Sequence, residues 1–319
     1  MADEFARIAR IAAIVRGPGD GTIELGIGDD AAVLDPSRLG KGEKLVWTVD
    51  ASVEGVHFER SLIGLHDVGY RATVAATSDL LAMGARPLCA LVAWEIPEGI
   101  EEGDVDEVAA GQREAADALG LSIVGGNLAR GPRLALSTTV LGATTSPVRR
   151  AGARPGDRIV VAGALGEAAL GLHWLLARLP AAEPRVVRAW RRPPVHLVHA
   201  TALSRVATAM IDISDGLAQD LGHLAAASDV SATVDARLLS ARRADDVSAL
   251  SSALGVDPLR FELAGGEDYA LVAALPPGVP LPASIDEIGV FDRHGPAGQV
   301  RVRMLDGSFT EPPPGYRHR

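Results

Sequence analysis

Apolar and polar positions along the chain switch repeatedly between a period of two and a helical period. In "KLVWTVDASV", residues 44–53, Leu45, Trp47 and Val49 share one side, and Val46, Thr48 and Asp50 the other, as in a half-buried strand. Residues 66–85 then repeat at helical spacing through Val68, Ala72, Ala75, Asp79 and Ala82, with Asp67 placed to cap the first turn and Gly84 to end the last. Residues 88–96 predict a strand. Residues 104–120 predict an amphipathic helix that buries Val105, Val108, Gln112, Ala115 and Leu119 and stops at Gly120. Strands follow over 121–126 and 133–143.

The composition shifts to Pro, Gly and Arg in "TTSPVRRAGARPGD", residues 144–157, which reads as a junction. After it the alternation resumes. "RIVVAGAL" predicts a strand and "GEAALGLHWLLARL" a helix, and "MIDIS" leads into a helix over "DGLAQDLGHLAAAS". Later strands are expected in "ATVDA", "YALVAAL", "SIDEIGVF" and "QVRVRM", and the tail is rich in turn residues. The pattern predicts a mixed α/β (α+β) fold in two domains, 1–145 and 146–319.

Bulk composition narrows the function classes. A length of 319 residues suits about two domains. The core is aliphatic, because hydrophobic residues make up 47% of the chain and aromatic residues only 4%. A net charge of −10 argues against a broad nucleic-acid footprint. It leaves room for a phosphorylated ligand if cations supply the positive charge. The single cysteine, Cys89, sits among apolar neighbours and is expected in the core. The N-terminal stretch lacks the features of a secretory signal, and no apolar run reaches the ~20 residues of a membrane span. A cytoplasmic protein is the expectation.

The candidate chemistry is acidic. "GIGDDAAVL" sets Asp29 and Asp30 between a glycine turn and an apolar run, and taken alone it reads as a solvated turn. Yet carboxylates recur at the ends of apolar segments: Asp50, Asp79, Asp212 and Asp215. Asp79 lies on the packed stripe of its helix, where a lone carboxylate is costly; the alternative is a helix rotated to turn Asp79 to water. Several carboxylates converging on Mg²⁺, which is commonly shared with substrate phosphates, would remove that cost. Gly125–Gly126, expected directly after a strand, would let a backbone approach a phosphate closely. Ser214 and Asp215 are expected to open a helix whose unpaired N–H groups favour anions. "LAGGEDYALV" sets a further Gly-Gly beside Glu267 and Asp268. Neither a P-loop, nor kinase signature motifs, nor a nucleophile elbow is present, and His57 has no metal-ligand spacing to a second His or Cys.

Taken in order, "DEFARIARI", "GIGDDAAVL", "VDASVEGVHF", "SDLLAMGARP", "GGNLARGP", "RAGARPGD", "DISDGLAQDLGHLA", "GGEDYALV" and "PGYRH" resemble the thiamine-monophosphate kinases. That family belongs to the superfamily of aminoimidazole ribonucleotide synthetase and selenophosphate synthetase. The resemblance spans nearly the whole chain. It implies a two-domain synthetase-like fold, with an N-terminal ATP- and metal-binding domain that pairs in a homodimer and a C-terminal α/β domain that completes the site. It implies transfer of the ATP γ-phosphate to thiamine monophosphate. Carried over residue by residue, it places several Mg²⁺ ions on Asp30, Thr48, Asp50, Asp79, Asn127, Asp212 and Asp215. It places ATP at Gly125, Gly126, Asn127, Arg150 and Ser214, and the thiamine phosphate at His57, Glu267 and Tyr316. No acid or base catalyst is assigned, because a substrate phosphate oxygen is already a competent nucleophile and the reaction needs mainly positioning and charge neutralisation.

The chain departs from the family pattern at two places. Gly126-Asn127-Leu128 stands where the family has Gly-Gly-Asp-Thr, and Val49 stands for a threonine. One metal position is therefore expected to be weaker, or completed by water. The rival readings are a weakly active or non-catalytic nucleotide- and thiamine-phosphate-binding homologue, or another ATP-using member of the superfamily. Selenophosphate synthetase is disfavoured because no cysteine precedes Cys89, and the hydrogenase-maturation relatives because the chain ends in "GYRHR" rather than cysteine.

Overall fold

The structure is a computed structural model that describes residues 4–17, 21–27, 31–179 and 185–315. The chain divides into two compact units, residues 1–80 with 85–146, and residues 81–84 with 147–319. Both mix helices with strands.

The first unit runs α1 (Glu4–Val15), β1 (Ile23–Leu25), β2 (Val33–Leu34), β3 (Lys44–Val53), α2 (Leu65–Ala82), β4 (Arg86–Ile96), α3 (Glu102–Leu119), β5 (Ser122–Arg130) and β6 (Ala135–Thr144). Its main sheet has the order β3-β6-β4-β5, antiparallel except for the β4–β5 pair, which α3 connects as a crossover. Period-two alternation sorts the sheet. Val46, Val92, Trp94, Leu136 and Val140 are buried, whereas Leu45, Trp47, Val49 and Leu91 are exposed. The helices α2 and α3 approach each other closely because both crossing points are glycine. A Cβ on Gly69 would strike the Val108 carbonyl, and one on Gly111 the His66 carbonyl.

Two local expectations change and one holds. Asp67 lies inside the first turn of α2 rather than capping it. Gly84 does end that helix region with left-handed backbone, at φ +64°. The strand at 121–126 does not stop at Gly125–Gly126: β5 continues to Arg130, paired with β4, and carries an irregularity where Leu91 aligns with Gly125. Glycine at 126 serves the close pairing of the two strands, since a Cβ there would collide with the Val92 carbonyl.

The second unit runs β7 (Arg158–Ala162), α4 (Glu167–Leu176), α5 (Arg185–Arg191), α6 (Leu197–Leu203), β8 (Ala209–Ile213), α7 (Leu217–Ala227), β9 (Ser231–Asp235), α8 (Ala236–Arg242), α9 (Asp245–Ala253), α10 (Pro258–Ala264), β10 (Ala270–Leu275), β11 (Asp286–Asp292), β12 (Val300–Arg303) and β13 (Phe309–Thr310). Its seven-stranded sheet has the order β13-β12-β9-β11-β7-β10-β8, with β12–β9 the parallel pair. Ile159, Val161, Ile211, Ile213 and Val272 pack with Leu217, Leu221 and Leu224 of α7 and with Leu239 of α8. The alternate positions Val160, Met210, Leu271 and Ala273 are also buried, so the central strands read as unbroken apolar runs. Asp212 is the one charged residue within the fully buried strand "AMIDI".

Candidate functional site

In the first unit, β3 and α2 bring Thr48, Asp50 and Asp79 together. Thr48 and Asp50 share a face of β3, and Thr48 Oγ1 donates to Asp79 Oδ2 at 2.6 Å. Asp79 is half-buried and tied to the strand, so the helix is not rotated to turn it fully to water. Burial pushes the Asp50 carboxyl above its ordinary range and the charge of Asp79 adds to the rise, while the Ala51 N–H, His57 and Arg71 oppose it. His57 follows the strand in a tight turn. Its Nδ1 accepts from the Val53 N–H at 3.1 Å, which leaves the Nε2 nitrogen of a neutral ring as the proton carrier. The side chain of Val49 points the other way, onto the exposed face with Leu45 and Trp47. Exchanging threonine for valine there removes no side-chain oxygen from the Thr48–Asp50 face.

Gly125, Gly126 and Asn127 lie within β5, where Asn127 is exposed beside Ala93 of β4. Their expected position, in a loop that follows a strand, is thus corrected to mid-strand.

In the second unit, Asp212 is the penultimate residue of buried β8, and after Ile213 the chain turns through Ser214, Asp215 and Gly216 into α7. The N-cap is Gly216. Ser214 and Asp215 precede the helix, and their N–H groups are not open to an external anion. The N–H groups of Ser214, Asp215 and Gly216 all donate to Oδ2 of buried Asp220, at 3.0–3.1 Å. Desolvation, reinforced by Asp212 and Asp215, pushes the Asp220 carboxyl up to about 7. Gln219 Nε2 donates to Asp215 Oδ2 at 2.9 Å and sets its rotamer.

The loop 265–269 runs alongside. The Glu267 N–H donates to the Ser214 carbonyl at 2.8 Å, and the Tyr269 N–H to the Ile213 carbonyl at 2.9 Å. Glu267 and Tyr269 both hold left-handed backbone, at φ +67° and φ +50°, which side-chain-bearing residues rarely adopt. Between them, the buried Asp268 carboxylate accepts from the Gly166 and Ala168 N–H groups at the start of α4. Burial pushes Asp268 up to about 8.

Arg150 is exposed, with its carbonyl accepting from Ser228. Asp29, Asp30 and Tyr316 lie outside the described residues. Among the described residues, no three His, Cys, Asp or Glu side chains gather closely enough to hold an ion by themselves. Asp220 and Trp190 are the supporting residues that sequence reasoning missed, while Asp268 reads there as an acid beside Gly-Gly but without its anchoring role. Asp220 could have been found by the argument applied to Asp79, since it falls on the apolar stripe of Leu217, Leu221 and Leu224.

Comparison with known proteins places this geometry. Residues 28–144 match the AIR synthase related protein N-terminal domain, and residues 154–277 its C-terminal domain. The chain is 38% identical to the thiamine-monophosphate kinase of Mycobacterium tuberculosis strain H37Rv over 309 residues, which covers 95% of this chain and 88% of that protein. The chain belongs to the thiamine-monophosphate kinase family. A second relative, the thiamine-monophosphate kinase of Aquifex aeolicus, is 33% identical over 253 residues, 78% of this chain and 80% of that one. The solved complex of AaThiL with AMPPCP and TMP superposes with a TM-score of 0.80 at 32% identity, covering 99% of this chain and 97% of the other. The two-domain, mixed α/β architecture of the kinase family is therefore that of this chain.

Proposed function

We propose that the chain uses the carboxylates of its two units to phosphorylate thiamine monophosphate. The reaction moves the γ-phosphoryl group of ATP onto the phosphate of thiamine monophosphate, giving thiamine diphosphate and ADP. The observation that carries the residue assignment is the oxygen-only group Thr48, Asp50 and Asp79, in which a carboxyl resists ionisation because it is buried beside another. Such a group is relieved by a cation. Its hard donors fit Mg²⁺, which typically takes one or two carboxylates and completes its shell with water and substrate phosphates, so a three-acid cage is not needed. When bound, Mg²⁺ would neutralise charge on the transferring phosphoryl oxygens.

The chain's own residues position and orient. Thr48, Asp50, Asp79 and Asp30 in the first unit, and Asp212 and Asp215 in the second, are the proposed Mg²⁺ ligands, with Asn127 supplying at most a neutral carbonyl oxygen. Gly125, Gly126, Asn127, Arg150 and Ser214 are assigned to ATP, and His57, Glu267 and Tyr316 to thiamine monophosphate. The domain roles follow: residues 1–145 bind ATP and metal and form the dimer, and residues 146–319 complete the site. The exposed apolar face of the first sheet supports pairing with a second copy. Trp47 is 68% exposed and Val49 63%, and Leu45 and Leu91 extend the patch. No helix among the described residues is long and apolar enough to cross a membrane. A cytoplasmic setting is proposed with the activity.

Incubating the purified protein with thiamine monophosphate, ATP and Mg²⁺ tests the reading. Thiamine diphosphate and ADP should form in equal amounts, and chelation with EDTA should stop both. Tight binding of both substrates without product would overturn it. Light scattering tests the pairing: the wild type should run as a dimer and Trp47→Glu as a monomer.

A further inference from the structure

Helix α5, part of a basic, Pro-interrupted stretch that the sequence leaves without a role, delivers one side chain to the loop 265–269. It packs against α4. The approach depends on Gly171 in α4, where a Cβ would run into the Val186 carbonyl of α5. Val186 and Val187 are buried, and Arg185 at the head of α5 forms ion pairs with Glu167 and Asp246. The helix is thereby fixed in place, and it directs the fully buried Trp190 so that its indole Nε1–H donates to Glu267 Oε2 at 3.0 Å.

Glu267 is held from three sides. Its N–H is bonded to the Ser214 carbonyl, its neighbour Asp268 is anchored at the start of α4, and its carboxylate takes the indole N–H. A left-handed, non-glycine residue persists only where its surroundings over-determine it, and such residues cluster at ligand clamps. A carboxylate would repel the phosphate of thiamine monophosphate. It suits the other end of that molecule, the cationic thiazolium and the amino-pyrimidine.

We propose that Trp190 is a positioning residue for thiamine monophosphate, orienting the Glu267 carboxylate toward the organic cation through its indole N–H. The proposal rests on the reading of Glu267 as a substrate-holding residue. Trp190 touches neither ATP nor the transferred phosphoryl group in this account, so its effect falls on one substrate.

Steady-state kinetics on wild type, Trp190→Phe, Glu267→Ala and the double variant test it. Losing a hydrogen bond to a charged group should raise KM for thiamine monophosphate about tenfold in Trp190→Phe, while kcat and KM for ATP stay within about threefold. In the Glu267→Ala background the same substitution should add nothing. A merely structural tryptophan would lower kcat and shift both KM values, and its cost would persist in the double variant; that result overturns the proposal. If Glu267→Ala raises KM for thiamine monophosphate but Trp190→Phe does not, the positioning role falls and the substrate reading stands. If Glu267→Ala leaves that KM unchanged, both fall. Should Trp190→Phe fail to fold, replacement of Trp190 by 3-benzothienylalanine keeps the ring shape and deletes only the N–H, and the same outcomes decide.

Discussion

The two carboxylate groups are built in opposite ways. In the first unit, Thr48, Asp50 and Asp79 come from one strand and one helix; Thr48 bonds Asp79 directly, and the charge of Asp79 acts on Asp50. In the second, Asp215 and Ser214 sit on a turn, and buried acids that are not themselves proposed ligands hold the backbone: Asp220 collects three N–H groups below the turn, and Asp268 fastens the neighbouring loop to α4. A site on rigid elements needs little support beyond its own side chains. A site on turns needs a second layer of buried polar groups, because orphan N–H groups and left-handed residues must be stabilised by something fixed.

The comparison breaks first at the ligands themselves. Asp50→Asn and Asp212→Asn should each lower kcat by on the order of 10³-fold, as expected when transition-state charge loses its compensation. Their melting temperatures should stay near that of the wild type, because asparagine keeps the size and hydrogen-bonding capacity of aspartate at both positions. Turnover assays with matched melting curves check both halves of that statement.

The second unit's dependence on buried titratable groups gives the next effect. His196 is buried, and desolvation together with the charge of His199 pushes it down to about 4 from an ordinary 6.5. Its unfolded form therefore takes a proton between pH 6.5 and 4 that the folded form refuses. Stability due to this group is complete above 6.5 and falls with falling pH until about 4, by about 3 kcal/mol in all. Urea unfolding of the wild type and His196→Phe across that window should show the difference shrinking as the pH falls. A constant difference would show that His196 does not titrate in this way.

Asp220→Ala sharpens the contrast between the units. It strands three N–H groups at the entrance of α7 and should cost about 2 kcal/mol of stability, and KM for ATP should rise while KM for thiamine monophosphate changes less. If the variant kept wild-type stability and KM values, the second layer would not be what holds the turn. The smallest effect belongs to the first unit. Asn127→Asp restores the residue usual in the family and should lower the Mg²⁺ concentration for half-maximal turnover by roughly threefold, a fraction of a single charge interaction at an exposed position. An unchanged Mg²⁺ dependence would exclude Asn127 from the metal shell.

The same contrast governs what could be read in advance. Strand β3 and helices α2 and α3 were legible because each is long and keeps one period, so Asp50 and Asp79 could be placed on faces. The seven-residue helices α5, α6, α8 and α10 span about two turns, too few for a stripe to stand out in an Ala- and Leu-rich sequence. The glycines of β5 read as a turn because a propensity cannot distinguish a glycine that bends the chain from one that lets two strands close up. Ser214 read as a helix cap because the competing acceptor, Asp220, lies six residues on and inside the helix. The hydrogen bond from Trp190 to Glu267 joins residues 77 positions apart, and no local pattern marks it.

Whether the carboxylates of both units serve one reaction is tested most directly by the turnover of the Asp50→Asn, Asp212→Asn double variant. Groups that act as a unit in one step are strongly non-additive. The double variant should be about as slow as either single variant, on the order of 10³-fold below wild type, with folding intact. Full multiplication of the two losses, or wild-type turnover in either single variant, would contradict a shared reaction.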